Sequence, residues 1–117
     1  MNVALVGSRN YKNLDRISDV LATLEPGTTV ISGGARGVDT EAIARAYRLG
    51  FRTIEIRAQW VRDDGTADSQ AGKRRNSQLV EMADEVYAFW DGKSGGTWDT
   101  ILKARNAGKL KTVIPDD

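Results

Sequence analysis

Three short stretches of the chain set glycine beside a cation or a hydroxyl: Gly7-Ser8-Arg9, Ser32-Gly33-Gly34-Ala35-Arg36-Gly37 and Asp91-Gly92-Lys93-Ser94-Gly95-Gly96-Thr97. Glycine lets backbone N–H groups close on a ligand, and Arg9, Arg36 and Lys93 can add charge-assisted bonds, a combination suited to phosphate oxygens. Any one stretch alone is equally what a tight strand-to-helix turn requires; the three together point to an anion cradle. None fits the phosphate-loop pattern G-x-x-x-x-G-K-[ST], and no dinucleotide fingerprint is claimed. The run Lys73-Arg74-Arg75-Asn76 adds cations at a predicted helix start, where they oppose the macrodipole and an anionic ligand would favour them. Asp39 and Glu41 suit the first turn of their own helix electrostatically, while Asp39 could instead take a ribose hydroxyl or fix the loop. A tryptophan among Trp60, Trp90 and Trp98 could stack on a base at the rim of such a pocket.

Composition limits what chemistry these groups can support. The 117 residues hold 17 Lys plus Arg against 16 Asp plus Glu, no histidine and no cysteine. Serine or cysteine hydrolases that rely on histidine are excluded, as are disulfides and thiolate metal sites; no metal is expected. A net charge of +1 argues against broad, sequence-independent binding of nucleic acid and leaves room for a local basic pocket. No apolar run nears the roughly 20 residues of a membrane span. Met1-Asn2-Val3 runs straight into a strand pattern without a signal peptide, so a cytoplasmic location is expected and a membrane partner is not.

Periodicity supplies the elements that must position the three stretches. Apolar runs predict strands at 2–6, 29–31, 51–57, 85–90 and 111–114. Helical spacing of Leu14, Ile17, Val20, Leu21 and Leu24 predicts a first helix ended by Pro26-Gly27; others are expected at 38–49, 72–83 and 97–106. The polar stretch 62–70 reads as a mobile loop. Five strands alternating with four helices imply one Rossmann-like α/β domain over residues 1–117, three layers deep, with a parallel sheet covered by helices on both faces. Ligands of such sheets bind at the carboxyl edge where the strand order reverses, and all three glycine stretches follow strands there.

The pairing of GSR after the first strand with SGGARGVDTEA after the second resembles the SLOG superfamily, named after the DNA-processing SMF/DprA proteins and the LOG phosphoribohydrolases. It is most similar to the small, stand-alone YspA-like members, and the likeness continues through Arg75-Asn76 and FWDGKSGGT. It implies a Rossmann-like domain that binds nucleotides, nucleotide-derived signals or nucleic acid at this edge. Relatives of this kind often pair, which makes a homodimer an expectation. LOG enzymes cleave the N-glycosidic bond of nucleoside monophosphates with an arginine and a glutamate. Laying their pattern on this chain puts Arg75 at the arginine and Thr100 at the glutamate. Threonine cannot stabilise an oxocarbenium-like centre or activate water as a carboxylate does.

The sequence is therefore read as a binding domain for a nucleotide or nucleotide-derived ligand, and it specifies no further cofactor. Phosphate would lie against Gly7, Ser8, Arg9, Ser32, Gly33, Gly34, Arg36, Gly37, Lys93, Gly95, Gly96 and Thr97. Arg75, Asn76, Asp39 and Asp91 would complete the site. Two alternatives stay open: a nucleotide N-glycosidase using Arg75 with Glu41, Asp91 or Asp99, and a single-stranded DNA binder, which the near-neutral charge disfavours.

Overall fold

Strand β1 (Asn2–Gly7) carries Val3 and Leu5 to one face and Ala4 and Val6 to the other, all four buried. Such a strand, apolar on both sides, can only sit in the middle of a covered sheet. A computed structural model, which describes residues 1–116, places it there. The five strands β1, β2 (Thr29–Gly33), β3 (Arg52–Ile56), β4 (Glu85–Trp90) and β5 (Leu110–Pro115) run parallel in the order β3-β2-β1-β4-β5.

The connecting helices α1 (Asp15–Leu21) and α2 (Val38–Arg48) bury Ile17, Leu21, Val38, Ala42 and Ala46 against Val3, Leu5, Val30 and Phe89 on one face. On the other, α3 (Ala71–Met82) and α4 (Gly95–Asn106) bury Leu79, Val80, Ile101 and Ala104 against Ala4, Val6, Ile31, Val86 and Ala88. The expected Rossmann-like architecture is thus present, with the order reversing between β1 and β4. No described helix is long and apolar enough to cross a membrane.

Three local departures matter. Helix α1 ends at Leu21 rather than at residue 24, because residues 22–24 close as turns with Thr23 Oγ1 donating to the Val20 carbonyl at 2.7 Å. Helix α4 begins two residues early, at Gly95, with the Ser94 side chain accepting from the Thr97 N–H as an N-cap. The expected mobile loop at 62–70 is instead folded. Val61 and Ala67 form an antiparallel bridge, the Arg62 N–H reaches the Thr66 carbonyl at 2.8 Å, and Asp68 is buried.

The loop after β1 is tied to the residues that end and follow β5. Asp116 accepts from the Lys12 and Asn13 N–H groups at 2.7 and 3.2 Å, and the Tyr11 hydroxyl donates to the Pro115 carbonyl at 3.1 Å. The Tyr11 ring meets Phe89 edge-on, with centroids 5.7 Å apart.

Candidate functional site

At the carboxyl edge of the sheet a pocket of about 390 Å³ opens over the ends of β1, β2 and β4. The volume is within the ordinary range for small-ligand sites. Gly7 and Arg9 border it from β1, Ala35 and Asp39 from the start of α2, Lys73, Arg75 and Asn76 from α3, and Gly95, Gly96, Thr97, Asp99 and Thr100 from α4. Trp60, 56% exposed, stands at the rim with its ring over Gly72.

The floor is a buried carboxylate beneath a guanidinium. Asp39, 4% exposed, accepts the Gly7 N–H at 3.2 Å. Burial pushes its carboxyl up to about 6, against the opposing pull of Arg75 and of hydrogen bonds from the Gly7 and Ala35 N–H groups. Arg75 reaches over from α3, donating from Nε to Asn76 Oδ1 at 3.0 Å and from Nη1 towards the Ile56 carbonyl at 3.5 Å. Gly33 makes this arrangement possible. A Cβ there would collide with the Arg75 guanidinium and lie 2.5 Å from Asp39 Oδ2. Gly37 has a different role, since its φ of 82° and its fit against the Arg9 carbonyl both demand glycine.

The opposite wall is the first turn of α4. Asp91 accepts from the Lys93 and Ser94 N–H groups at 2.9 and 2.8 Å, and these two bonds hold its carboxyl below the usual carboxylate range. Ser8, fully buried, donates to Thr97 Oγ1 at 3.3 Å and accepts from the Asp91 N–H at 3.1 Å, joining the first and third loops. Asn76 links α3 to this wall by donating to the Gly96 carbonyl at 3.2 Å and to Asp99 Oδ2 at 3.0 Å. Burial raises Asp99, but hydrogen bonds from Lys103 and Asn76 outweigh it and leave the carboxyl below its usual value. No atom stands near where a Cβ at Gly95 or Gly96 would lie, so the turn is open, and first-turn N–H groups have no intrahelical acceptor.

Of the sequence-nominated residues, Gly7, Arg9, Asp39, Arg75, Asn76, Gly95, Gly96, Thr97 and Asp99 all border this one pocket. Others serve the frame instead. Ser32 is buried and donates to the Leu5 carbonyl at 2.5 Å; Gly33 lies beneath Arg75, Gly34 packs against Arg57 and Glu55, and Gly37 packs against Arg9. Arg36 and Lys93 are exposed and do not border the pocket. Glu41 pairs with Arg45 at 2.9 Å away from the pocket, and Asp91 is spent on its own loop, so neither is placed to act as the carboxylate of a glycosidase. Thr100 borders the pocket, its hydroxyl donating to the Gly96 carbonyl at 3.3 Å.

Arg74 corrects one expectation about the basic run: it pairs with buried Asp68, which answers the unfavourable dipole without a ligand. Trp60 was one of three interchangeable tryptophans in the sequence. Trp90 and Trp98 instead stack on each other, with centroids 5.0 Å apart. Only folding of the 57–70 segment sets Trp60 apart.

A parallel α/β sheet with its pocket at the strand-order reversal defines a Rossmann-like domain, and a family match supports the SLOG superfamily that its glycine-arginine loops resemble. Residues 1–78 match the family of DNA recombination-mediator protein A, and the chain belongs to that family. It is 32% identical over 112 residues to the Gene 61 protein of Mycobacterium phage D29, covering 91% of this chain and 90% of that protein.

The fold is shared with DNA processing protein A from Streptococcus pneumoniae at a TM-score of 0.80 and 21% identity, over 97% of this chain and 49% of that one. For DNA processing protein A from Helicobacter pylori the TM-score is 0.75 at 20% identity, over 100% and 66%. AtPrR2 in apo form gives 0.52 at 22% identity, over 97% and 37%. This chain thus spans about half to two thirds of the DNA processing proteins whose fold it shares.

Proposed function

We propose that the pocket holds one nucleotide unit of a single-stranded nucleic acid. The observation that carries this reading is the convergence of Arg9, Lys73 and Arg75 with the open first turn of α4 around one small pocket. Phosphate lies against these cations and the Gly95 and Gly96 N–H groups, and the base lies towards Trp60. The Helicobacter pylori relative is described as binding single-stranded DNA, and family membership supports extending that ligand class to this chain. The net charge of +1 is no obstacle once the cations are gathered at one edge.

A free nucleotide is the second reading, favoured by the pocket's size, which suits a single unit. Binding rather than hydrolysis is supported by Thr100, which borders the pocket where the LOG pattern has its glutamate and donates its hydroxyl to the Gly96 carbonyl.

The test is fluorescence anisotropy with a labelled thymidine hexanucleotide, competed by thymidine monophosphate and repeated across a salt series. Binding that weakens with salt and falls at least tenfold in Arg75→Ala is expected. Competition by monophosphate at equal concentration would favour the free nucleotide. Absence of binding to either ligand would remove the reading.

A further inference from the structure

Arg75 borders two cavities. Beyond it lies a second one of about 460 Å³, framed by Arg57, Arg62, Asp68, Arg74 and Gln78. Four guanidinium groups, counting Arg75, and two carboxylates, Asp63 and Asp68, line the cavity; Arg57 is also paired with Glu55 at 3.0 Å, which leaves a surplus of one positive charge. Asp68, 6% exposed, accepts the Gln70 N–H at 3.0 Å, pairs with Arg74, and lies 3.7 Å from Arg62 Nη2. Arg62 is further held by bonds from Nη1 to Thr66 Oγ1 at 3.2 Å and to the Ala67 carbonyl at 2.7 Å. Yet the Arg62, Arg74 and Arg57 side chains remain 52%, 61% and 76% exposed. Each guanidinium has five N–H donors, so these bonds fix the groups without exhausting them. One buried carboxylate thereby presets two solvent-facing arginines.

We propose that this second cavity receives the phosphodiester next to the nucleotide seated in the first pocket, so that a single strand crosses Arg75 and leaves past the β3 edge. The inference rests on the nucleotide reading above. A planar guanidinium can donate along two edges, which suits one phosphate on each side of Arg75. The small anion that such a cavity might otherwise take, inorganic phosphate, is separated from a strand by the test.

Affinity is measured for thymidine monophosphate, inorganic phosphate and a thymidine hexanucleotide, with wild type and two sets of variants. Arg62→Ala with Arg74→Ala removes the preset pair. Arg57→Ala and Gln78→Glu weaken the same cavity while leaving Asp68 with its partners, which guards against loss of fold. Each set is expected to leave monophosphate affinity within twofold, to lower hexanucleotide affinity about tenfold, and to flatten the salt slope by about the one phosphate contact the cavity holds.

Unchanged hexanucleotide affinity in folded variants overturns the proposal and leaves the first pocket intact. So does a hexanucleotide that wild type binds no more tightly than monophosphate, or tight inorganic phosphate that the strand cannot displace. Failure of wild type to bind monophosphate and hexanucleotide overturns both readings.

Discussion

Replacing Asp39 by asparagine tests the floor of the pocket directly. The amide keeps an oxygen that can accept the Gly7 N–H and removes a charge buried at 4% exposure. A carboxyl titrating at about 6 in the folded chain, against 3.8 for an unperturbed one, binds its proton more tightly when folded. Its contribution to stability is therefore complete below pH 3.8 and lost as the pH rises through 6. The difference corresponds to about 3 kcal/mol.

Other carboxylates, Asp91 and Asp99 among them, are shifted the opposite way, so wild type alone would blur the effect. The difference between Asp39→Asn and wild type isolates it. Urea denaturation from pH 3.5 to 7.5 should show the variant gaining about 3 kcal/mol on wild type, most of it between pH 4 and 6. Arg75 then also loses an opposing charge beneath it, so affinity for a nucleotide should rise. A flat difference curve, or one sloping the other way, would refute the placement of a charge-disfavouring site beneath Arg75.

Three further outcomes follow from the same geometry. Trp60→Ala should weaken oligonucleotide binding by about 1–3 kcal/mol, read by titration, with little change in urea midpoint because the ring is half exposed. Ser8→Ala strips a buried link between the Asp91 N–H and Thr97 and should cost about 1–3 kcal/mol of stability in the same denaturation assay. Gly37→Ala forces a side chain into φ 82° against the Arg9 carbonyl; a loss of at least about 1–3 kcal/mol is expected, together with weaker ligand binding through the displaced Arg9 loop.

Much of the architecture is written locally. The run Val3-Ala4-Leu5-Val6 is apolar on both faces, which only a central parallel strand requires, and β4 follows the same rule from Val86 to Phe89. The glycine loops were visible too, because glycine marks backbone under constraint. What local pattern could not reveal was the nature of each constraint. Gly33 and Gly7 answer to side chains from α3 and α2, far away in sequence, and Ser8 and Ser32 turn inward to satisfy the frame. The 57–70 segment is polar and aperiodic. Its order comes from one bridge and one buried carboxylate, neither of which leaves a periodic trace. The choice of Trp60 among three candidate tryptophans, and the cavity behind Arg75, were hidden for that reason.

The tie between Asp116 and the N–H groups of Lys12 and Asn13 also bears on time. The loop that carries Arg9 is synthesised more than a hundred residues before the carboxylate that steadies it. Contacts of such sequence separation form late because the intervening chain must already be in place. During synthesis the sheet centre and the α2 contacts can assemble while the Arg9 loop still lacks its anchor. A growing chain would thus acquire its core before its pocket, and a competent site would report that β5 had docked.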